Sequence, residues 1–471
     1  MKKNNIYNLA IVLGATILLT SCLAVKDYEQ PTVKETSKDL FRIDEQLETQ
    51  EDSLSLGNVS WRDMFTDTYL QEYVDQGLKN NFDLQIAISQ MSTAASYLKQ
   101  GKAGYLPTFN LSTSGTHSEI SKNSRFGSFS SSSIQTYQLT GNFSWEADIW
   151  GKIKSSKKAS LANYLQSESA QQAVRTELIS KIVSTYYQIL ALDAQLEITN
   201  ETIKVRKKGV ETIKALMESG QVSQVAVDQN IALYNSAEAL KLDIETSIFK
   251  LENSLSILLG TMPQKIERTK LKDQVIDKDL QVGVPALLLN NRPDIKLAQY
   301  NLMQSYELKN VAKTNLYPSF TLTASGGFES LELDNWISTN SIFANIIGGI
   351  TQPLFNQRKL KTQVEVAKNN EAQALLNYRK TLLVAGNEVS NALFAYNTET
   401  KKYVFRTKEA EALTNAEKNS EELLNNGFAT YLDLLTARQS ALSAKLNLVD
   451  SKLQQLLTVV DLYRALGGGI K

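Results

Sequence analysis

The chain has 471 residues, of which 50 are basic and 50 acidic, so it has no net charge to attract nucleic acid or an anionic surface. It contains one histidine, His117, and one cysteine, so zinc motifs, histidine-based catalytic triads and a disulfide framework lack the residues they need. We therefore expect no enzymatic activity, no metal site and no nucleic-acid partner.

The N terminus has the layout of a secretory signal. Two lysines precede a mostly apolar run over 6–19, which is shorter than the roughly 20 residues that span a bilayer. The run ends in "LTSC", and a cysteine directly after small residues resembles a bacterial lipobox. We expect residues 1–21 to be removed and Cys22 to carry lipid, the one bound group expected, with 22–60 as a tether. The alternative is a stray thiol after an ordinary signal peptide or anchor.

Four segments alternate apolar and polar residues with the period of a β-strand. They lie at about 107–120, 134–148, 318–330 and 340–353. One face of each is apolar, as shown by Phe109 and Leu111 in the first and Ile346 and Ile350 in the last. This pattern fits a transmembrane β-barrel or a soluble sandwich. Four strands cannot close a barrel, and open edges are not tolerated in lipid, so a barrel would need several chains.

Three tryptophans lie at or near the ends of these segments, namely Trp145, Trp150 and Trp336. They could form a stacking platform for a ligand. At strand ends, however, we interpret them as aromatic residues of a membrane interface.

Two proline-free stretches, 152–262 and 357–471, predict long helices, because proline is nearly excluded from helix interiors. In the first, apolar residues recur every seven positions, which is typical of a coiled-coil seam. These residues are Ile182, Ile189, Leu196, Ile203, Val210 and Met217. A second seam follows Gly220, which predicts a helical hairpin whose first helix, 152–218, is about 100 Å long. The equivalent seam of the second stretch has one break, at Glu417.

The two halves of the chain repeat one another. "LPTFNLSTSG" at 106–115 matches "YPSFTLTASG" at 317–326, and Gly220 matches Gly427 at an offset of 207 residues. Internal similarity on this scale indicates a tandem duplication. The predicted first repeat covers 61–265, a linker covers 266–285, and the second repeat covers 286–471.

Several stretches resemble the outer-membrane efflux protein family, the TolC-like and OprM-like channels. They are "SWEADIWGK" (144–152), "LLLNNRPDIKLAQYNL" (287–302), "ITQPLF" (350–355), "NNGFATYLDLLTARQSAL" (425–442) and "ALGGG" (465–469). The likeness covers about 60–471. It implies a mainly α fold with a membrane β-barrel portion: a homotrimer whose twelve-stranded barrel, four strands per chain, continues into a long periplasmic α-helical barrel. The start resembles the drug-efflux lipoprotein branch.

The resemblance also implies a function. It predicts a passive channel in the outer membrane of a Gram-negative bacterium, which exports small molecules as part of a tripartite efflux system. The implied partners are outer-membrane lipid, a periplasmic adaptor and, through the adaptor, an inner-membrane pump, expected to be of RND type. Two alternatives stay open: the same channel serving type I protein secretion, and a structural coiled-coil lipoprotein, which would leave the duplicated strand pairs unexplained.

The hairpin turns are the expected adaptor contacts, because helix tips meet the adaptor in this family. Asp433 matches the family's acidic position beyond the tip, and Asp228 lies comparably after Gly220, so both are candidates for a periplasmic gate that favours cations. Either could instead be a solvated or hairpin-bonded aspartate. Arg438 could be an ion-pair partner near the gate or a surface charge. The predicted tip residues are Ser219, Gly220, Gln221, Val222, Asn426, Gly427, Phe428 and Ala429.

Overall fold

The computed structural model describes residues 25–31, 60–125, 133–275 and 292–468. Cys22 and the predicted signal lie outside these residues, as do 32–59 of the predicted tether and 276–285 of the predicted linker. Two compact units make up the chain. Unit 1 comprises residues 1–31, 91–167 and 298–378, and unit 2 comprises 32–90, 168–297 and 379–471.

The described residues form eight α-helices and four β-strands, so the chain is mainly helical. In chain order they are α1 (Trp61–Met64), α2 (Thr68–Asn80), α3 (Phe82–Ala103), β1 (Thr108–Glu119), β2 (Ser133–Ala147), α4 (Lys152–Glu218), α5 (Gln224–Leu258), α6 (Pro293–Thr314), β3 (Ser319–Ser330), β4 (Ile342–Thr351), α7 (Lys359–Asn425) and α8 (Tyr431–Ala465). No helix within the described residues combines the length and apolar composition that spanning a membrane requires.

The four strands of unit 1 form one antiparallel sheet in the order β1-β2-β3-β4. Its register places most of the apolar residues on a common face, with Phe109 opposite Phe143 and Leu139 opposite Phe328, whereas Phe343 and Ile347 of β4 lie on the other face. The last strand ends at Thr351, two residues earlier than the sequence predicts, just before Gln352 and Pro353. Proline has no N–H to donate to the ladder, which explains the earlier end.

The duplication is visible in the lengths of the long helices. α4 and α7 have 67 residues each, and α5 and α8 have 35 each. At 1.5 Å per residue the longer pair extend about 100 Å. The carboxylate of Asp148 caps the start of α4, since it accepts hydrogen bonds from the backbone N–H groups of Ile153 and Lys154, both at 2.8 Å.

The two repeats differ in the residue that precedes the long helix. Gly151, before α4, has a φ of +79°, a left-handed conformation that glycine adopts without strain. At the equivalent position before α7 stands Arg358, with a φ of 64°. Its guanidinium donates to Glu365 at 2.8 Å and 3.1 Å. The second repeat therefore holds a bulky residue in a conformation that costs non-glycine residues energy.

The core of unit 2 lies around the first residues of the predicted α4 seam, which pack against other helices. Ile182 and Ile189 are fully buried, together with Tyr186 of α4, Leu255 of α5 and Tyr463 of α8. Toward the hairpin turn the later seam residues are only half-buried. Each fully buried large side chain stabilises the fold by about 1.5–3 kcal/mol, so most of the stability of unit 2 comes from this end.

The predicted linker is packed over its described part, 266–275. Ile266 is buried in the core of unit 2. Arg268, largely buried, donates to Asp193 at 2.9 Å and to Glu252 at 2.5 Å. These contacts bind the end of the first repeat to α4 and α5, so this part of the linker is not a free connection.

Candidate functional site

The first predicted tip is a tight turn between α4 and α5. Gly220 has a φ of +78°, its N–H donates to the carbonyl of Met217, and the N–H of Gln221 donates to the carbonyl of Leu216, both at 2.9 Å. This pair of bonds is a Schellman motif, which satisfies the last carbonyls of a helix and favours glycine. Ser219, Gln221 and Val222 complete the turn before α5 begins at Gln224.

The second predicted tip, between α7 and α8, repeats the same motif. Gly427 also has a φ of +78°, and its N–H and that of Phe428 donate to Leu424 and Leu423 at 3.0 Å and 2.9 Å. The side chains differ, because Phe428 is 82% exposed where the first tip has Gln221. Asn426 and Ala429 flank the motif. The second tip thus carries a large apolar side chain with no cover in this chain.

Gly427→Ala tests the strain that this turn places on its glycine. Nothing lies within 4 Å of a methyl group added there, so the cost is that of a left-handed backbone alone, about 1 kcal/mol. We expect the amides of Gly427 and Phe428 to exchange with solvent about fivefold faster in a hydrogen-exchange experiment. Gly427→Asn is the control, because asparagine tolerates this conformation, and equal rates in all three proteins would contradict the explanation.

Asp433 caps the helix that follows the second tip. Its Oδ2 accepts hydrogen bonds from the N–H of Thr430 at 2.8 Å and from the Thr430 hydroxyl at 2.6 Å, and the Thr430 Oγ1 accepts from the N–H of Asp433. This reciprocal pair is a capping box. The hydrogen bonds from Thr430 lower the pKa of Asp433, so the exposed carboxylate is ionised at neutral pH.

Asp228 is held differently, although it follows the first tip at a similar spacing. Its Oδ1 accepts a hydrogen bond from Gln224 one turn earlier in α5, at 2.9 Å, and the side chain is exposed. The helix-capping residue Ser223 makes no side-chain capping bond. Each predicted gate carboxylate is therefore bonded to a neighbour in the sequence, Asp433 to the residue that precedes α8 and Asp228 to the first residue of α5.

Arg438 connects the two helices of the second hairpin. Its guanidinium pairs with Glu421 of α7 at 3.1 Å, and its side chain is largely buried. The neighbouring pair, Lys445 and Glu417, lies at 3.4 Å. This second pair explains why Glu417 breaks the apolar seam: the position is used for an ion pair between α7 and α8. Arg438 is thus an ion-pair partner of Glu421, and its place at a gate stays a prediction.

Sequence reasoning missed a polar contact between the two hairpins. The Tyr431 hydroxyl, at the start of α8, donates to Oδ1 of Asn230, a buried residue of α5. Burial raises the pKa of Tyr431. A second bond between the hairpins joins Arg206 of α4, the donor, to Gln439 of α8 at 2.8 Å. A signal was available, because Asn230 precedes the seam residues Ala237 and Ile244 at heptad spacing, and a lone polar residue in a seam often fixes register.

The predicted interface tryptophans lie at both ends of the sheet, but only Trp145 is on a strand. Trp145 donates its indole N–H to the carbonyl of Tyr105 at 3.0 Å. Trp150 lies three residues beyond β2 and stacks on Tyr317, with ring centroids 5.0 Å apart. Trp336 lies in the loop between β3 and β4, 6.2 Å from the ring of Tyr137. Trp145 thus lies near the end of β2, and loops hold Trp150 and Trp336 beside the sheet, while the assignment of all three to a membrane interface stays a prediction.

No group of three or more metal-ligating side chains is found among residues 25–31, 60–125, 133–275 and 292–468. His117 lies near the end of β1 and contacts Glu119 at 3.1 Å on the surface.

The chain is similar over its whole length to curated efflux proteins. The solvent efflux pump outer membrane protein SrpC of Pseudomonas putida is 27% identical over 464 residues, 98% of this chain and 98% of SrpC. The cation efflux system protein CusC of Escherichia coli K12 is 25% identical over 463 residues, 96% of this chain and 97% of CusC. Among solved structures, the CmeC outer membrane channel of Campylobacter jejuni matches with a TM-score of 0.84 and 27% identity, covering 94% of each chain.

A family model completes the assignment. The model described as outer membrane efflux protein matches residues 73–261 and 284–468, which is most of the chain and falls in both repeats. The open-state MtrE outer membrane channel of Neisseria gonorrhoeae, with a TM-score of 0.83 and 25% identity over 95% of this chain and 98% of MtrE, shares the fold. This chain therefore belongs to the outer membrane efflux protein family and has the fold of the TolC-like channels of the Gram-negative outer membrane.

Proposed function

We propose that three copies of this chain form the outer-membrane conduit of a tripartite efflux system and passively export small molecules. The observation that carries this proposal is the four-stranded sheet with two open edges, β1 and β4. In lipid such edges have to be paired, and pairing β4 of one copy with β1 of the next closes a ring. Three copies supply twelve strands, the number that the family resemblance implies.

The polar face of the sheet suits the wall of a water-filled passage. Between its ends this face is neutral on the two central strands, where its side chains are Gln138, Thr140, Asn142, Ser144, Thr321, Thr323 and Ser325. Glu146 stands at one end, paired with Lys152 at 2.9 Å, and Glu329 stands at the other, accepting from Gln138. The eight residue steps from Gln138 to Glu146 span about 26 Å, close to the height of an apolar membrane band.

The cargo is not selected by this chain alone. SrpC is named for solvents and CusC for cations, yet both resemble this chain to a similar extent along its full length. If the conduit itself selected the cargo, this chain would be expected to resemble one of these two relatives clearly more than the other. We infer that the chain transports without chemistry of its own, and that the pump supplies both the energy and most of the specificity.

The tips are the proposed contacts with a periplasmic adaptor, which links the conduit to an inner-membrane pump of RND type. Phe428 supports this assignment, because a large apolar side chain exposed at a turn is suited to burial in a partner. A lipid on Cys22 is proposed to anchor each chain to the outer membrane, and a multiply acylated cysteine would make that attachment stable.

Asp433→Asn tests the proposed gate. In a trimer three Asp433 carboxylates would form an acidic ring beyond the tips, which attracts divalent cations to the narrow part of the passage. We expect the substitution to weaken block by divalent cations at least severalfold in planar-bilayer recordings. Thr430→Ala is the control, because it removes the capping bond and keeps the charge, so its block should stay near the wild-type level. Unchanged block in Asp433→Asn would remove this residue from the gate.

Single-channel conductance of the detergent-purified mature protein, with its mass in detergent measured on the same sample, tests the proposed function. A trimer with small, cation-selective openings supports a conduit closed at its tips. A monomer without conductance would overturn the proposal and favour a structural coiled-coil lipoprotein. If the protein is a trimer, and deletion of its gene abolishes protein secretion but leaves tolerance of toxic compounds intact, the chain is instead a type I secretion channel.

A further inference from the structure

We propose that α4, α6 and α7 of unit 1 form a docking site for residues 25–31 of the same chain, and that this segment is a strap that fixes the level of the membrane anchor. The segment is part of the predicted tether, 22–60, and its described residues make side-chain and backbone contacts with all three helices. Only the consequence for the anchor rests on the proposed lipid at Cys22.

The first contact is electrostatic and involves α4. The carboxylate of Asp27 pairs with Lys154 at 3.1 Å and with Lys158 one turn further along the helix. Hydrogen bonds and charge from these two lysines, foremost Lys158, lower the pKa of Asp27. One carboxylate thus bridges two cations on the same face of a helix, an arrangement that a free tether would not maintain.

The second contact is made by rings and by the backbone of the segment. Tyr28 packs edge-on against Tyr306 of α6, with ring centroids 5.5 Å apart. The Tyr306 hydroxyl lies within hydrogen-bond distance of two backbone carbonyls of the segment, those of Lys26 at 3.1 Å and Asp27 at 3.3 Å. Burial raises the pKa of Tyr28 to about 12. Recognition of backbone carbonyls fixes the path of the chain and not only its charge.

The third contact joins α6 to α7 through the strap. The amide nitrogen of Gln30 donates to the hydroxyl of Tyr378 in α7 at 3.1 Å, and its amide oxygen accepts from Gln299 in α6 at 2.9 Å. Gln30 therefore uses both ends of its amide. Because the strap bonds to α4, α6 and α7 within seven residues, its docking and the packing of these helices stabilise each other.

A buried acid lies beneath the strap. Glu307 of α6 is almost completely buried, and Lys158 Nζ lies 3.9 Å from its carboxylate. Burial raises the pKa of Glu307, which favours its neutral form. Lys158 then needs another anion, and Asp27 is that anion. The negative charge of Asp27 on the strap therefore balances Lys158, which a neutral Glu307 does not.

The start of the strap defines where the anchor is held. Val25 passes over Gly151, where an added methyl group would lie 3.5 Å from the Val25 side chain, and the adjacent Trp150 stacks on Tyr317 at the end of the sheet. Three residues span at most about 10 Å, so lipid on Cys22 would keep Val25 close to the membrane surface. The docked strap would therefore hold the end of the sheet that carries Trp150 and Tyr317 at the membrane surface.

Trypsin cleavage after Lys26 in the purified full-length mature protein tests the docking. A protease needs an extended, free segment, so cleavage reports the undocked fraction when opening is rapid. We expect Asp27→Asn to form the new N terminus at position 27 about fivefold faster than wild type, and Tyr28→Ala to form it faster still, with each rate divided by that of the same bond in a free peptide of the same sequence. Glu29→Gln is the matched control, because it removes the same charge from an exposed strap residue, and it should be cleaved at the wild-type rate.

Equal cleavage of the wild type, Asp27→Asn and Tyr28→Ala would overturn the docking site. Equal acceleration by Glu29→Gln and Asp27→Asn would also overturn it, because the effect would then follow net charge and not the bridge to the lysines. The assay reads one peptide bond in the purified chain. A failure of channel conductance with Lys26 still protected would therefore refute the proposed function and leave the strap in place.

Discussion

Gly327→Ala is expected to prevent correct pairing of β2 with β3, the step that joins the strands of the two repeats. A methyl group at 327 would overlap the carbonyl oxygen of Leu139 and lie 2.8 Å from its carbonyl carbon. Both are backbone atoms of the neighbouring strand, so no side-chain rotation relieves the clash. Overpacking of side chains costs about 1–3 kcal/mol, and a clash with backbone should exceed that range. We expect a large loss of folded protein and a lowered thermal midpoint in detergent.

Gly349→Ala is the matched control for this substitution. Gly349 lies on the same polar face, in β4, and an added methyl group would stand 3.7 Å from the Thr321 hydroxyl oxygen, an ordinary contact. The control should fold and melt nearly as the wild type does. A Gly327→Ala protein with wild-type yield and midpoint would show that the sheet does not need this close approach.

Arg292→Gln is expected to destabilise unit 2 by about 2–3 kcal/mol, which is less than the loss for a fully buried ion pair because the two carboxylates left without their cation are partly exposed. The Arg292 side chain is 7% exposed and pairs with Asp294 at 2.7 Å and Glu388 at 2.6 Å. It also donates to the carbonyl of Ala465 at 2.8 Å. The substitution leaves two carboxylates facing one another without their cation. Urea unfolding followed by the helical circular-dichroism signal measures the loss.

Arg62→Gln provides the comparison, because Arg62 forms an ion pair with Asp75 in which both side chains are about half exposed. Exposed pairs contribute about 0–1 kcal/mol, so this variant should unfold close to the wild-type urea concentration. If both variants lose the same amount, the burial of Arg292 has no energetic consequence and the prediction is wrong.

Much of the fold could be predicted because its signals are local and periodic. The absence of proline over 152–262 and 357–471 marked the long helices, and the predicted helix 152–218 has the bounds of α4. Alternation at Phe109 and Leu111 identified the apolar face of β1 without knowledge of its partners. Glycine marked both tips, because the Schellman turn requires a left-handed residue.

The remainder depends on which side chains meet across elements, and no period in the sequence encodes that. The bond between Tyr431 and Asn230 joins residues 201 positions apart. The bridge from Asp27 to Lys158 of α4 likewise joins residues 131 positions apart. Arg358 is a different case. The duplication predicts the left-handed conformation of Gly151 at this position, whereas an arginine disfavours that conformation, and the structure has the conformation that the duplication predicts. The gate assignments stay predictions.

Equal helix lengths in the two hairpins restrict how this chain can change in size. One residue inserted in α4 alone would move all that follows by 1.5 Å and turn it by 100°, which would carry the seam away from its partner helix. A heptad restores the facing, but only if α5 gains one as well, and only if the other hairpin grows equally do the two turns stay level. The hairpins can therefore lengthen only in whole heptads that are added to all four helices together.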